Sequence, residues 1–182
     1  ANISGVTRHK LYENDTDTTD ANGLPPHSIA AIVEGGDATV IANSIRGVKG
    51  QGVTPYGSTV IVVPDKYGNP HPVGFSRPVD VPIYVKITIE PLTGYTSQVG
   101  EEIKAAVSAY INSLAIGASV LLSRVYSPAN LGVVSGGNAR YYDITELLIG
   151  TSSAGVAATN IVIAFDHSAS CRVADINLEV SV

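Results

Sequence analysis

The 182-residue chain contains no methionine, no tryptophan, a single cysteine and only two phenylalanines. Each shortage excludes something. One thiol, Cys171, cannot close an internal disulfide, so the fold is no disulfide scaffold and the residue reads as a small buried hydrophobe. Positive charge is scarce, with 11 Lys and Arg against 16 Asp and Glu, a net charge of −5 and a pI near 5.2. The densest basic run, Arg8-His9-Lys10, is too short for a phosphate-binding patch, so no nucleic-acid partner is expected. No apolar run approaches the roughly 18 residues of a membrane span, and no charged-then-apolar opening marks a secretory signal. No membrane partner is expected either. The lack of methionine, hence of an initiator, leads to the expectation that the chain is processed or cut from a longer protein.

What is present is an ordinary globular composition, 45% hydrophobic and 15% charged, long enough for one medium domain or two small ones. Val6 to Tyr12 reads as an edge strand leading into a polar loop that contains Asn14, Asp15, Asp17 and Asp20. Pro25-Pro26 stiffens the chain before a buried strand at Ile29–Val33. Asp37 is placed to cap a helix from Ala38, with Val40, Ile41 and Ile45 at helical spacing and Gly47, Gly50 and Gly52 ending it. Ser58–Val63 and His71–Ser76 form a hairpin across the turn 65–69, and Arg77 to Pro82 reads as a stiff linker.

The second half opens with Ile83–Glu90, where apolar and polar residues alternate strictly, as in a half-buried strand. Ser97 is placed to cap the longest helix, with Glu101 and Glu102 near its positive end. Val99, Ile103, Val107, Tyr110, Ile111 and Leu114 line one face, and Gly117 closes it. Val120–Val125 suits a strand or a short helix, Ser127-Pro128 the first turn of a small helix ending near Gly132, and Gly136-Gly137-Asn138 a turn. Asp143–Ile149, Asn160–Phe165 and Ile176–Val182 read as the remaining strands. The expected class is α+β in two small domains, 1–78 and 79–182, each a mixed or antiparallel sheet with one main helix packed on it.

Catalytic and ligand chemistry finds no pattern in the chain. Counted from Asp15, an EF-hand loop would need glycine sixth and glutamate twelfth, but Asp20 and Pro26 stand there. His9, His27, His71 and His167 lack zinc spacing. His27 beside Ser28 has no nucleophile elbow or oxyanion loop, and the glycines at 47–52 and 132–137 lead to no phosphate-loop lysine. No catalytic, metal or cofactor-binding residue is assigned, and no cofactor is expected. What remains is surface. Nine tyrosines tilt the composition toward amphipathic aromatics, and Tyr84, Tyr141 and Tyr142 are the candidate interface residues.

Several stretches carry a resemblance. The segment from Glu13 to Gly36, END-D--D-NGLPPHSI---VEGG, is followed by Thr54-Pro55-Tyr56-Gly57, Gly68-Asn69, Phe75-Ser76-Arg77-Pro78 and Val81-Pro82-Ile83-Tyr84-Val85. Tyr110-Ile111-Asn112 and Ser123-Arg124-Val125-Tyr126-Ser127-Pro128 come later. In this order they resemble the baseplate J-like family, wedge proteins of Mu-like phages and other contractile tails. The resemblance implies the C-terminal portion of a structural baseplate protein, found in a virion or tail-like particle and assembled in the bacterial cytoplasm. Its partners would be other baseplate wedge proteins, with self-association into a homo-oligomer, and it brings no catalytic residues. Asn14, Asp15, Leu24, Pro25, Pro26, Gly35, Gly36, Arg77 and Pro78 then read as turn and fold determinants. The stretch from Val133 to Arg140 is longer and richer in glycine than the family leads one to expect. Two other classes compete: a host-surface adhesin module of a phage tail, and a small hydrolase whose site is assembled from distant positions.

Overall fold

A computed structural model describes residues 3–132 and 138–181. The fold is α+β, with three helices and several small sheets. It divides into two compact units, Ala1–Val79 and Asp80–Val182.

In the first unit β1 (Val6–Asn14) runs antiparallel to β2 (Ser28–Gly35), and β3 (Thr54–Tyr56) joins the other side of β2 in parallel. The order β1-β2-β3 puts the apolar run of β2 in the centre, where Ala30, Ala31, Ile32 and Val33 are buried. Helix α1 (Ala38–Val48) begins where the Asp37 carboxylate accepts from the Thr39 and Val40 amides at 2.9 and 3.0 Å. It packs Ile41 on Ala31, Val33 and Phe75, and Ala42 on Val63 and Val73. Val40, expected on the buried face, is half exposed, because Ile41 and Ala42 centre the stripe one residue later. Gly47 lies inside the helix and does not end it; the Lys49 amide still bonds to Ile45.

The hairpin β4 (Thr59–Pro64) and β5 (Pro70–Phe75) turns at Asp65. The Asn69 side-chain amide donates to one Asp65 oxygen, and the Asn69 and Tyr67 main-chain amides donate to the other; led by the Asn69 side chain, these bonds hold the carboxyl far below the usual range. Just after β5, Ser76 exchanges main-chain bonds with Ala31 and Val33, which docks the hairpin onto β2. A side chain at Gly57 would lie 2.2 Å from the Phe75 main chain, so only glycine allows that approach.

In the second unit β7 (Tyr84–Pro91) is central. It is flanked by antiparallel β8 (Tyr142–Gly150) and parallel β10 (Ile176–Val180), so the sheet is mixed. Val85, Ile87 and Ile89 are buried in alternation against α2 (Ser97–Asn112), whose Val99, Ile103, Val107 and Ile111 fill the same core. Each fully buried branched side chain of this kind contributes about 1.5–3 kcal/mol. Ser97 is the first helical residue rather than the cap; Thr96 precedes it in extended conformation and its side chain makes no capping bond. Gly117 comes after the helix has ended at Asn112, where the Ser113 hydroxyl donates to the Tyr110 carbonyl at 2.7 Å.

Other expectations are corrected here. Val79–Pro82 is no linker but a short strand, β6, paired with β9 (His167–Ser170); in a two-stranded ribbon proline keeps an open edge. Helix α3 spans Leu122–Ala129, so Pro128 sits in its last turn, not its first. Its start is decided by Asn160, whose side-chain oxygen accepts from the Leu122 amide at 3.0 Å. Asn160–Phe165 is not a strand; among the described residues it makes one isolated bridge, Ile161 to Val120. Of the expected turn, Gly136 and Gly137 lie outside the described residues, as does 133–135, and Asn138 opens a short 3-10 turn.

Gly35 has φ +71°, and a Cβ there would lie 2.2 Å from the Gly5 carbonyl oxygen. Gly23 has φ +80° with nothing near. Gly35→Ala should therefore cost about 2–4 kcal/mol, from strain and clash together, and Gly23→Ala about 1 kcal/mol, from strain alone. Urea unfolding of both variants measures the difference, and equal losses would contradict the close packing of β1 on β2.

Candidate functional site

The loop from β1 to β2 is built around a side chain. Asn14 is 3% exposed, and its amide nitrogen donates to the carbonyls of Thr18, Leu24 and Pro25 at 2.8, 2.8 and 3.1 Å. Its oxygen accepts from the amide and hydroxyl of Thr16 at 3.1 and 2.7 Å. Every lone pair and proton of the carboxamide is used, which buried polar groups require. Asp20 closes the next turn, accepting from the Asn22 and Leu24 amides at 2.8 Å each. Leu24 is fully buried beneath, Pro25 is half-buried, and Asp15 and Pro26 are exposed.

At the far end of β2, the Arg77 guanidinium donates to the carbonyls of Val33, Gly35 and Gly36 and lies 5.1 Å from the Phe75 ring centre. A planar fork matches three carbonyls that the turn Gly35-Gly36 points one way; a lysine could not. Pro78 is half-buried just beyond it. Thus Asn14, Leu24, Pro25, Gly35, Gly36 and Arg77 meet at the two ends of one strand, whereas Asp15 and Pro26 make no such contact.

The loop's acidic and nucleophilic groups are taken locally. His27 Nε2 lies 2.9 Å from Asp17, and the Ser28 hydroxyl donates to the Pro25 carbonyl at 2.6 Å rather than to the imidazole. Among the described residues no three His, Cys, Asp or Glu side chains converge as a metal site. Among the same residues no helix is long and apolar enough to cross a membrane. Cys171 is buried, and burial pushes its thiol up to about 12. Its main chain is gripped by Asn112, which donates to the Cys171 carbonyl at 2.8 Å and accepts from its amide at 3.0 Å.

The tyrosines divide. Tyr142 is 4% exposed, and its hydroxyl donates to the Ala129 carbonyl at 2.6 Å; burial pushes it up to about 12. That corrects its assignment as an interface residue, since strand β8 turns it into the core. Tyr141 is half-buried, with the Arg140 guanidinium 4.8 Å from its ring centre. Tyr84 is also half-buried, opposite the core face of β7. Two residues along that face, Lys86 pairs with Glu179 at 3.1 Å and Glu146 at 3.7 Å, tying the neighbouring strands together.

Exposed apolar side chains lie elsewhere. Val60 and Val62 are 58% and 60% exposed on β4, and Leu11 is 59% exposed on β1. Leu11 borders a groove of about 360 Å³ beside α1, lined also by Val6, Val33, Ile41 and Ile45. The continuous apolar run Val60–Val63 is of the kind found in strands covered on both faces. Only the absence of a second layer among the described residues leaves one face open. Comparison with models of known protein families finds no match, and comparison with curated proteins finds none.

Two predictions follow from the bonded groups. Asn14→Ala should destabilise the chain by about 2–3 kcal/mol, and Asn14→Asp by more at neutral pH, because a carboxylate would face three carbonyls. Chemical unfolding should show the gap narrowing as pH falls and protonation restores a donor. Glu34 is held below its ordinary value of 4.5 chiefly by the Arg8 guanidinium, 2.6 Å away. Its stabilisation is present above that ordinary value and is lost as pH falls through the lower folded-state value. Glu34→Gln should therefore be less stable than the wild type at pH 7 and match it in strong acid, read from urea midpoints; a pH-independent gap would refute the linkage.

Proposed function

We propose that the chain is a structural component of a contractile-tail baseplate, a wedge protein that acts through protein–protein interfaces in a virion or tail-like particle. The observation that carries this reading is a coincidence of positions. Six of the nine turn and fold determinants that the baseplate J-like resemblance marks are residues that hold β2: Asn14, Leu24 and Pro25 at its start, Gly35, Gly36 and Arg77 at its end. At these six positions it coincides with hydrogen bonds, burial and glycine conformations that build the unit.

The exposed side chains support the same role. Leu11, Val60 and Val62 stand on strands, where rigid backbone presents them without further ordering cost. A wedge protein must hold its neighbours in one geometry before contraction and admit another after it, and small rigid units with several contact faces suit such a bistable assembly. The work is mechanical rather than catalytic. The other wedge proteins are the partners, assembled in the bacterial cytoplasm.

Antibody raised to the chain and applied to gradient-purified tail particles tests the proposal by blot and by electron-microscope labelling. Label at the baseplate end of the tail is the expected result. Label at fibre tips, or protein left in the lysate with none in particles, would overturn it.

A further inference from the structure

The edge of β1 has a direction and a charge order that point to one occupant. Ser76 donates to the Ala31 carbonyl at 2.8 Å and accepts from the Val33 amide at 2.9 Å, so residues 31 and 33 turn their main-chain groups away from β1. Main-chain groups alternate sides along a strand. Ala30, Ile32 and Glu34 therefore face β1, and their register partners Tyr12, Lys10 and Arg8 face them. His9, Leu11 and Glu13 are left with N–H and C=O directed outward, at the end of the sheet order, where no described strand lies beyond.

The side chains on this edge complement themselves. In an antiparallel pairing of two copies with a two-fold axis at Leu11, Leu11 meets the second copy's Leu11. His9 meets Glu13, and Lys10 meets Tyr12. An apolar pair sits at the centre, with an imidazole–carboxylate pair on either side. Lys10 already lies 6.0 Å from its own Tyr12 ring centre, and the pairing offers it a second ring. Leu11 and His9 are in register with Ala31 and Val33, the residues beneath α1. Two leucines at the axis would thus cover the open groove beside that helix, whose lining includes Lys10 and no carboxylate. Copies carrying −5 each repel in general, but at this edge unlike groups face one another.

We propose that β1 is the isologous interface of a homodimer, paired edge to edge about Leu11 into one continuous sheet. The three outward residues of each copy supply about six main-chain hydrogen bonds. The pairing uses up both edges, so it closes at two copies and does not propagate. The inference assigns a face to the self-association that the baseplate reading also includes, and its test on the purified chain alone does not require that reading to hold.

Cysteine substitution reads the axis directly. Facing residues of a hydrogen-bonded antiparallel pair lie about 5.5 Å apart between Cα atoms, within disulfide reach. Leu11→Cys should oxidise to a covalent dimer on a non-reducing gel, while His9→Cys, about 13 Å from its copy, should not; the native thiol at Cys171 is buried. Sedimentation equilibrium of the full chain gives the second measurement. His9→Glu should weaken association roughly tenfold by opposing Glu13 at two symmetric positions. His9→Glu combined with Glu13→Lys should restore it, with far-UV circular dichroism confirming that each variant folds. A monomeric wild type at every concentration, equal cross-linking of the two cysteine variants, or association indifferent to His9→Glu would each overturn the proposal.

Discussion

The first unit depends on a constraint that its apolar side chains cannot supply. Fourteen to twenty-eight is a long polar return between two strands, with Leu24 its fully buried apolar anchor. Such a loop would ordinarily retain much of its conformational entropy. The Asn14 carboxamide removes that freedom by binding carbonyls at three points along the loop, from a position that β1 itself makes rigid. Arg77 does the equivalent at the other end of β2, holding the carbonyls of a turn that only glycines can form. The central strand is gripped at both ends by polar side chains and covered by α1 between them. Removing either grip leaves buried polar groups unpaired, which is why the cost is larger than one ordinary hydrogen bond.

The second unit is organised differently. Its core is a continuous apolar layer between α2 and the sheet, and the alternation in β7 suffices to orient the strand. Polar side chains enter to fasten segments that lack regular structure. Asn112 and Ser108 reach from α2 to the main chain around Cys171, and Asn160 starts α3 from thirty-eight residues away. The recurrent device in both units is the amide or hydroxyl that satisfies main-chain groups where no ladder can.

In the proposed baseplate role this construction would serve contact between proteins. Several carboxylates and hydroxyls are engaged in turns and caps: Asp20 and Asp65 in tight turns, Asp37 at a helix start, Ser28 on a carbonyl. Among the surfaces the described residues present are the outward groups of β1 and the exposed valines of β4. Strand edges and faces are stiff, and their pairing rules are exacting, so they set geometry as well as affinity. A mechanical assembly needs that property more than it needs tight binding.

Local patterns in the sequence determined most of the elements. Strict alternation identified β7, an aspartate before an apolar stripe identified α1 and its cap, and the turn from Asp65 to Asn69 identified the hairpin. The α+β class was legible from their order. These features rest on short-range physics, in which neighbouring side chains and the main chain settle the conformation together. Tertiary structure alone decided the rest. Pro128 ends a helix rather than starting one because Asn160 caps Leu122, and Asn160–Phe165 is irregular because one bridge to Val120 holds it. Tyr142 is in the core because the register of β8 on β7 turns it inward. The outward direction of His9, Leu11 and Glu13 follows from which side of β2 Ser76 occupies. Each of these is set by a partner distant in sequence, and a contact between distant residues leaves no mark on the spacing of either one.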